Sequence, residues 1–159
     1  MTDRAARRIG LVEKLSPQVG AKVSALAQSF HYPPGEQIFR QGEPSGFLFV
    51  VKSGHVALET ALSSGGPLTL LTVGPGEIFS WSALSETRTE TASARAIDDL
   101  EVLGFEGVAL QDLCREDPQV GVEIYRILAD VLSSRLAAAR QQITEMLAPR
   151  TPPAPSKSG

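Results

Sequence analysis

The sequence predicts a mainly β domain with flanking helices, and three observations carry that prediction. Between Glu36 and Phe105 the chain is a series of short apolar or alternating runs punctuated by glycine, at the spacing of a sandwich, jelly roll or barrel. No helical pattern interrupts those runs, which argues against a doubly wound parallel sheet. A proline-led helix start stands on either side of them, at Ser16-Pro17 and at Asp117-Pro118.

The elements follow in order. Ser16 reads as an N-cap with Pro17 in the first helical position, and Val19, Val23, Leu26 and Ala27 share one face of a helix reaching about Ser29. Tyr32-Pro33-Pro34-Gly35 breaks the chain. Strands are expected over residues 37–40, 47–52, 55–60, 68–73, 92–96 and 100–105. Turns fall at Gly42-Glu43-Pro44, Ser53-Gly54, Ser63-Ser64-Gly65-Gly66-Pro67 and Gly74-Pro75-Gly76. A short helix is expected over residues 107–116. Asp117 then caps a long one, about 45 Å if it runs to Leu147, which exceeds what a roll of this size needs to cover it.

Two apolar stripes account for that length. Val120, Ile124, Ile127 and Val131 share a face suited to packing on the strands. Ala129, Leu132, Leu136, Ala139, Ile143 and Met146 are spaced alternately three and four apart and continue to the end. About two and a half heptads of coiled-coil spacing predict a parallel homodimer through Leu132, Leu136, Ala139, Ile143 and Met146.

Composition bounds the function. The 15 Lys plus Arg against 18 Asp plus Glu give no basic field to draw nucleic acid or an anionic membrane. Arg4, Arg7 and Arg8 read as a solvated helix end. One cysteine, Cys114, excludes an intrachain disulfide and fits a reducing compartment. Neither a signal-peptide h-region nor an apolar run of about 18 residues is present, so a cytoplasmic protein is expected. The proline-rich stretch from Pro149 to Gly159 predicts a disordered tail.

Three local patterns resemble one family. Gly35-Glu36-Gln37-Ile38-Phe39-Arg40-Gln41-Gly42 is an apolar strand between glycine turns, and Phe47-Leu48-Phe49-Val50-Val51-Lys52-Ser53-Gly54-His55-Val56 is a strand pair around a Ser-Gly turn. Gly74-Pro75-Gly76-Glu77-Ile78-Phe79 leads into a cassette, residues 76–96. In this order, over about residues 15–143, they resemble the cyclic nucleotide-binding domain and the Crp/Fnr effector domain. The resemblance implies a β-roll (double-stranded β-helix, jelly roll) at about residues 30–105, helices at about 107–147, one domain over residues 1–147 and a tail over 148–159.

It also implies a ligand cassette. In that family a short helix N-terminus, backbone N–H groups and an arginine surround a cyclic phosphate, while a glutamate accepts from the ribose. Carried over without a gap, the family's Gly-Glu pair falls on Ser80 and Trp81, its Ala-Leu pair on Ala83 and Leu84, and its Arg-Ser/Thr-Ala run on Glu90, Thr91 and Ala92. Ala83, Leu84, Thr91 and Ala92 fit; Ser80, Trp81 and Glu90 depart. Losing the arginine removes a charge-assisted pair worth about 1.5 to 3 kcal/mol, and a glutamate there repels a phosphate. An indole offers no acceptor for a ribose hydroxyl. The candidate pocket is Phe79, Ser80, Trp81, Ser82, Ala83, Leu84, Arg88, Glu90, Thr91 and Ala92, with Arg88 and Arg95 as nearby cations that could serve a phosphate.

The expected function is a non-enzymatic regulatory or sensor module in signal transduction, acting through a homodimer and an unidentified effector protein, with no cofactor and with cyclic AMP or GMP binding weak or lost. A cyclic-nucleotide binder that uses Arg88 or Arg95 is one alternative. A cupin-like metal enzyme is another, against which stands the shortage of ligands, His31 and His55 being the only histidines. Cys114 reads as an inert buried thiol. No helix-turn-helix pattern follows the long helix in this sequence, so direct DNA binding is not expected. No membrane association is expected either.

Overall fold

The computed structural model describes residues 10–149. Arg4, Arg7, Arg8 and the tail beyond Pro149 lie outside the described residues. Residues through Leu128 form one compact unit and those from Ala129 a second.

Two helices open the first unit, α1 (Gly10–Glu13) and α2 (Pro17–Ser24). Pro17 takes the first helical position as expected, but Ser16 does not cap its own helix. Its hydroxyl instead donates to Glu123 Oε2 at 2.8 Å and its N–H to Oε1 at 2.6 Å, tying α2 to the last helix. The helix also ends at Ser24 rather than about Ser29, and β1 (Ala27–Tyr32) occupies the difference. The sequence alone did not separate the two, because Leu26 and Ala27 continue the helical spacing. What decides is tertiary: β1 pairs along its whole length with the strand that closes the roll.

The remaining strands are β2 (Gln37–Phe39), β3 (Phe47–Ser53), β4 (Val56–Ala61), β5 (Pro67–Val73), β6 (Ile78–Phe79), β7 (Ser93–Ala96) and β8 (Leu100–Glu106). They form two antiparallel four-stranded sheets, ordered β1-β8-β3-β6 and β2-β7-β4-β5, the β-roll that the sequence led us to expect. Between the sheets lies a core that includes Val51, Val56, Leu58, Val73, Ala94, Leu100 and Val102. A run of stacked rings crosses it, from Phe39 to Phe79 at 6.2 Å and on to Phe49 at 5.1 Å. Phe79, fully buried, is the residue immediately before the cassette turn, so the aromatic core fixes where that turn begins.

One turn end is held by an unusual concentration of polar contacts. Asp98, in the β7–β8 turn, accepts from His55 N at 2.7 Å and lies 2.7 Å from its Nδ1, while the adjacent Asp99 lies 2.7 Å from His31 Nε2 on β1. These contacts hold Asp98 below the usual carboxylate range. Gly54 makes the approach possible: at φ 92° it adopts a conformation other residues avoid, and a Cβ there would meet Asp99 O at 2.4 Å.

Helix α3 (Gly107–Glu116) follows β8 directly, and α4 (Pro118–Leu147) follows α3 after one residue. Asp117 caps α4 as expected, accepting from Gln119 N at 3.1 Å, and its carboxylate meets Lys22 Nζ at 2.5 Å. At the α3–α4 corner, Gly121 lets the backbone come close to Cys114: a Cβ would stand 3.4 Å from that residue's own. The Cys114 thiol is half-buried, and burial pushes its pKa up.

The two stripes of α4 separate as expected. Val120, Ile124 and Ile127 are buried, together with Leu128, which the expected stripe does not include, while Val131 is only half-buried; Leu132, Leu136, Ile143 and Met146 are exposed, Met146 by 83%. The exposed stripe is longer than the sequence reading had it, because Val122 and Tyr125, 49% and 46% exposed, continue the same alternating spacing backwards into the first unit.

Candidate functional site

The cassette starts where β6 leaves the sheet. Ser80 takes the left-handed conformation, φ 63° and ψ 38°, and a single 3-10 turn, Trp81–Leu84, follows. Ala83 N donates to Ser80 O at 3.2 Å and Ser85 N to Ser82 O at 3.0 Å. Helix α3 supports the turn from behind. Gly107 lies so close that a Cβ would meet Ala83 O at 2.5 Å, and Gln111 Nε2 donates to Leu84 O at 3.2 Å.

Beyond the turn the chain doubles back against the β2–β3 connection. Ser45 N donates to Arg88 O at 2.8 Å, Glu90 N to Glu43 O at 2.9 Å and Gly42 N to Glu90 O at 2.8 Å. This pairing turns the Glu90 side chain inward. Its Oε1 accepts from Ser80 Oγ at 2.5 Å, and Ser80 Oγ lies 3.1 Å from Ser45 Oγ. All three residues are buried, none more than 6% exposed. Burial raises the Glu90 carboxyl pKa, the two serine hydroxyls oppose that rise, and the negative charge of Glu43 adds to it.

The sequence-named residues divide by position. Phe79, Ser80, Ser82, Ala83, Leu84 and Glu90 are buried together, Trp81, Arg88 and Ala92 are half-buried, and Thr91 is exposed. Neither arginine points its charge to the Ser80–Glu90 pair. Arg88, at φ 47°, gives its guanidinium to Gln111 Oε1. Arg95 grips buried Glu59 with two bonds, Nε to Oε1 at 3.0 Å and a terminal nitrogen to Oε2 at 2.7 Å. Sequence reading missed Ser45 and Gln111. Ser45 lies 35 residues from Ser80, and no local spacing announces that contact. Gln111 resembles any polar helix residue until the fold puts it under the turn.

Among the described residues no group of three or more His, Cys, Asp or Glu could hold a metal ion. Hollows of about 320 Å³ beside Val12, Leu15, Pro17 and Gly20, and of about 250 Å³ beside Phe30, His31, Lys52 and Glu101, are both lined by residues outside the cassette. No helix of the described residues is long and apolar enough to cross a membrane.

A β-roll flanked by helices, with a glycine-led cassette between β6 and β7, defines a cyclic nucleotide-binding-like class of fold. The chain belongs to the cyclic nucleotide-binding domain family, whose model matches residues 29–117. It is 36% identical over 119 residues to the cyclic AMP receptor protein of Thermus thermophilus, covering 75% of this chain and 55% of that protein. It is 31% identical over 133 residues to glutaminase 2 of Bradyrhizobium diazoefficiens, covering 84% of this chain and 20% of that enzyme. A cyclic nucleotide-binding domain from Methylobacillus flagellatus superposes with a TM-score of 0.82 over 94% of this chain and 88% of that one; at 18% identity the likeness is one of fold. The chain spans about half the length of the curated regulators it matches, 55% and 57% for two of them.

Proposed function

We propose that this chain is a non-enzymatic regulatory module whose cassette has lost the family's way of holding a cyclic phosphate, and that it works as a homodimer through α4. One observation carries the reading. The position onto which the resemblance carries the phosphate arginine holds Glu90, buried and bonded to Ser80. A phosphate brought to that position finds a carboxyl where the family has a guanidinium fork, and meets a like charge whenever Glu90 is ionised, while Arg88 is hydrogen-bonded to Gln111 and Arg95 is paired with Glu59. The candidate pocket remains Phe79 to Leu84 with Arg88, Glu90, Thr91 and Ala92. The exposed α4 stripe supports the dimer, and its output passes to an effector protein.

A second reading, a cyclic-nucleotide binder that frees Arg88 or Arg95 for the phosphate, is favoured by the relatives named as cyclic AMP receptors. A thermal-shift series with cyclic AMP and cyclic GMP at neutral pH separates the two. No change in melting temperature is expected with either nucleotide. A rise of several degrees that disappears in Arg88→Ala or Arg95→Ala would establish the second reading instead.

A further inference from the structure

We propose that residues 80–90 form a proton-operated strap, latched at its base by the buried Ser45–Ser80–Glu90 cluster and released when Glu90 ionises. This concerns the regulation of the candidate site and rests on the reading of that site given above.

The strap is a loop whose first and last residues are joined side chain to side chain, Ser80 Oγ to Glu90 Oε1 at 2.5 Å, with Ser45 alongside at 3.1 Å. A neutral carboxyl suits this cluster, because two hydroxyls can both give to it and take from it. An ionised one keeps those hydroxyl donors, which favour it, but is buried with too little else to replace its lost hydration. It wants several donors and a counter-charge, and among the described residues no Lys, Arg or His forms an ion pair with Glu90. The charged residues of the neighbouring segments are Arg40 and Glu43 in the β2–β3 connection, Glu86 and Arg88 in the strap, Glu106 at the end of β8, and Asp112, Arg115 and Glu116 on α3. Of these, Glu43 opposes ionisation and Arg88 is held by Gln111.

The sign follows from the closed state holding its proton more tightly than an open, hydrated one. Raising the pH through the raised pKa of Glu90 therefore favours opening, and lowering it restores the latch. Two features favour release, against the backbone bonds to residues 42–45 and the Gln111 contacts that also hold the strap. Ser80 and Arg88 both hold positive φ, 63° and 47°, a strain that opening relieves. Glu86 and Thr87, at its crown, are already exposed.

Trp81, one residue past Ser80 and the only tryptophan, is placed to report the movement. Its emission and its quenching by acrylamide are to be followed on the full chain from about pH 4 to about pH 8. A one-proton transition is expected, toward longer wavelength and stronger quenching at the alkaline end, and Glu90→Gln is expected to keep the acid-side spectrum throughout. A carbon-13 titration of the Glu90 carboxyl in the unaltered chain needs no variant to fold. Its midpoint should lie above about 4.3, the ordinary glutamate value, and coincide with the Trp81 transition. A midpoint at or below that value, a flat Trp81 response, or a transition that persists in Glu90→Gln overturns the strap. No ligand enters this experiment, so its outcome is separate from that of the nucleotide series.

Discussion

Ser80 shows how closely balanced the cassette is at the level of one residue. As a non-glycine at φ 63° it costs on the order of 1 kcal/mol, which glycine would remove. Its hydroxyl supplies a hydrogen bond to a buried carboxyl, and removing it leaves that acceptor unsatisfied at about 1 to 3 kcal/mol. The second term is larger. Ser80→Gly is therefore expected to lose about 1 kcal/mol and Ser80→Ala, which keeps the strain and loses the bond, about 2 kcal/mol. Urea unfolding of the two variants checks the order; a glycine variant as stable as the parent chain would show that the hydroxyl contributes no more than the strain costs. The sequence made Ser80, Trp81 and Glu90 legible as departures, since each is a residue type at odds with a phosphate site. It could not disclose that Glu90 turns inward or that Ser45 meets Ser80, because both depend on the pairing of residues 42–45 with 88–90.

Elements were legible where periodicity or a proline start defined them. Six of the strands and both C-terminal helices appear close to their expected places, while β1 and the two-residue β6 do not stand out from local pattern. Each of those two is fixed by a neighbour, β1 by β8 and β6 by β3. Contact between elements also sets two expectations. Gly107→Ala places a methyl group against the Ala83 carbonyl and must push the 3-10 turn off α3; a loss of about 1 to 3 kcal/mol and faster amide exchange at residues 81–84 are expected, whereas unchanged exchange there would mean α3 does not brace the turn. At the opposite turn, Asp98 is held below the usual range by His55, so its contribution is present at neutral pH and fades as pH falls through that lowered value. In Asp98→Asn the melting temperature should be lower at neutral pH and should drop less on acidification than in the parent chain, a comparison made by scanning calorimetry.

At the scale of the whole molecule, the exposed face of α4 is the feature that most needs a partner. From Val122 to Met146 eight positions alternate three and four apart, about three and a half heptads, and their apolar members are exposed. In a homodimer Leu136 would lie in the middle of that seam. Leu136→Asp in the full chain is expected to halve the mass measured by light scattering with the far-ultraviolet spectrum unchanged; a mass equal to that of the parent chain would remove helix pairing as the mode of assembly. The roll itself needs no such partner, since its core is closed between its two sheets.

Cys114 offers a way to watch the α3–α4 corner chemically. The thiol is the only one in the chain, half-covered, with Gly121 close against it, and its raised pKa keeps it largely protonated near neutrality. An alkylating reagent therefore reacts slowly with the closed corner and faster each time the two helices part. The rate of modification becomes a clock for that opening, and any effector that tightens or loosens the corner will change how fast the label goes on.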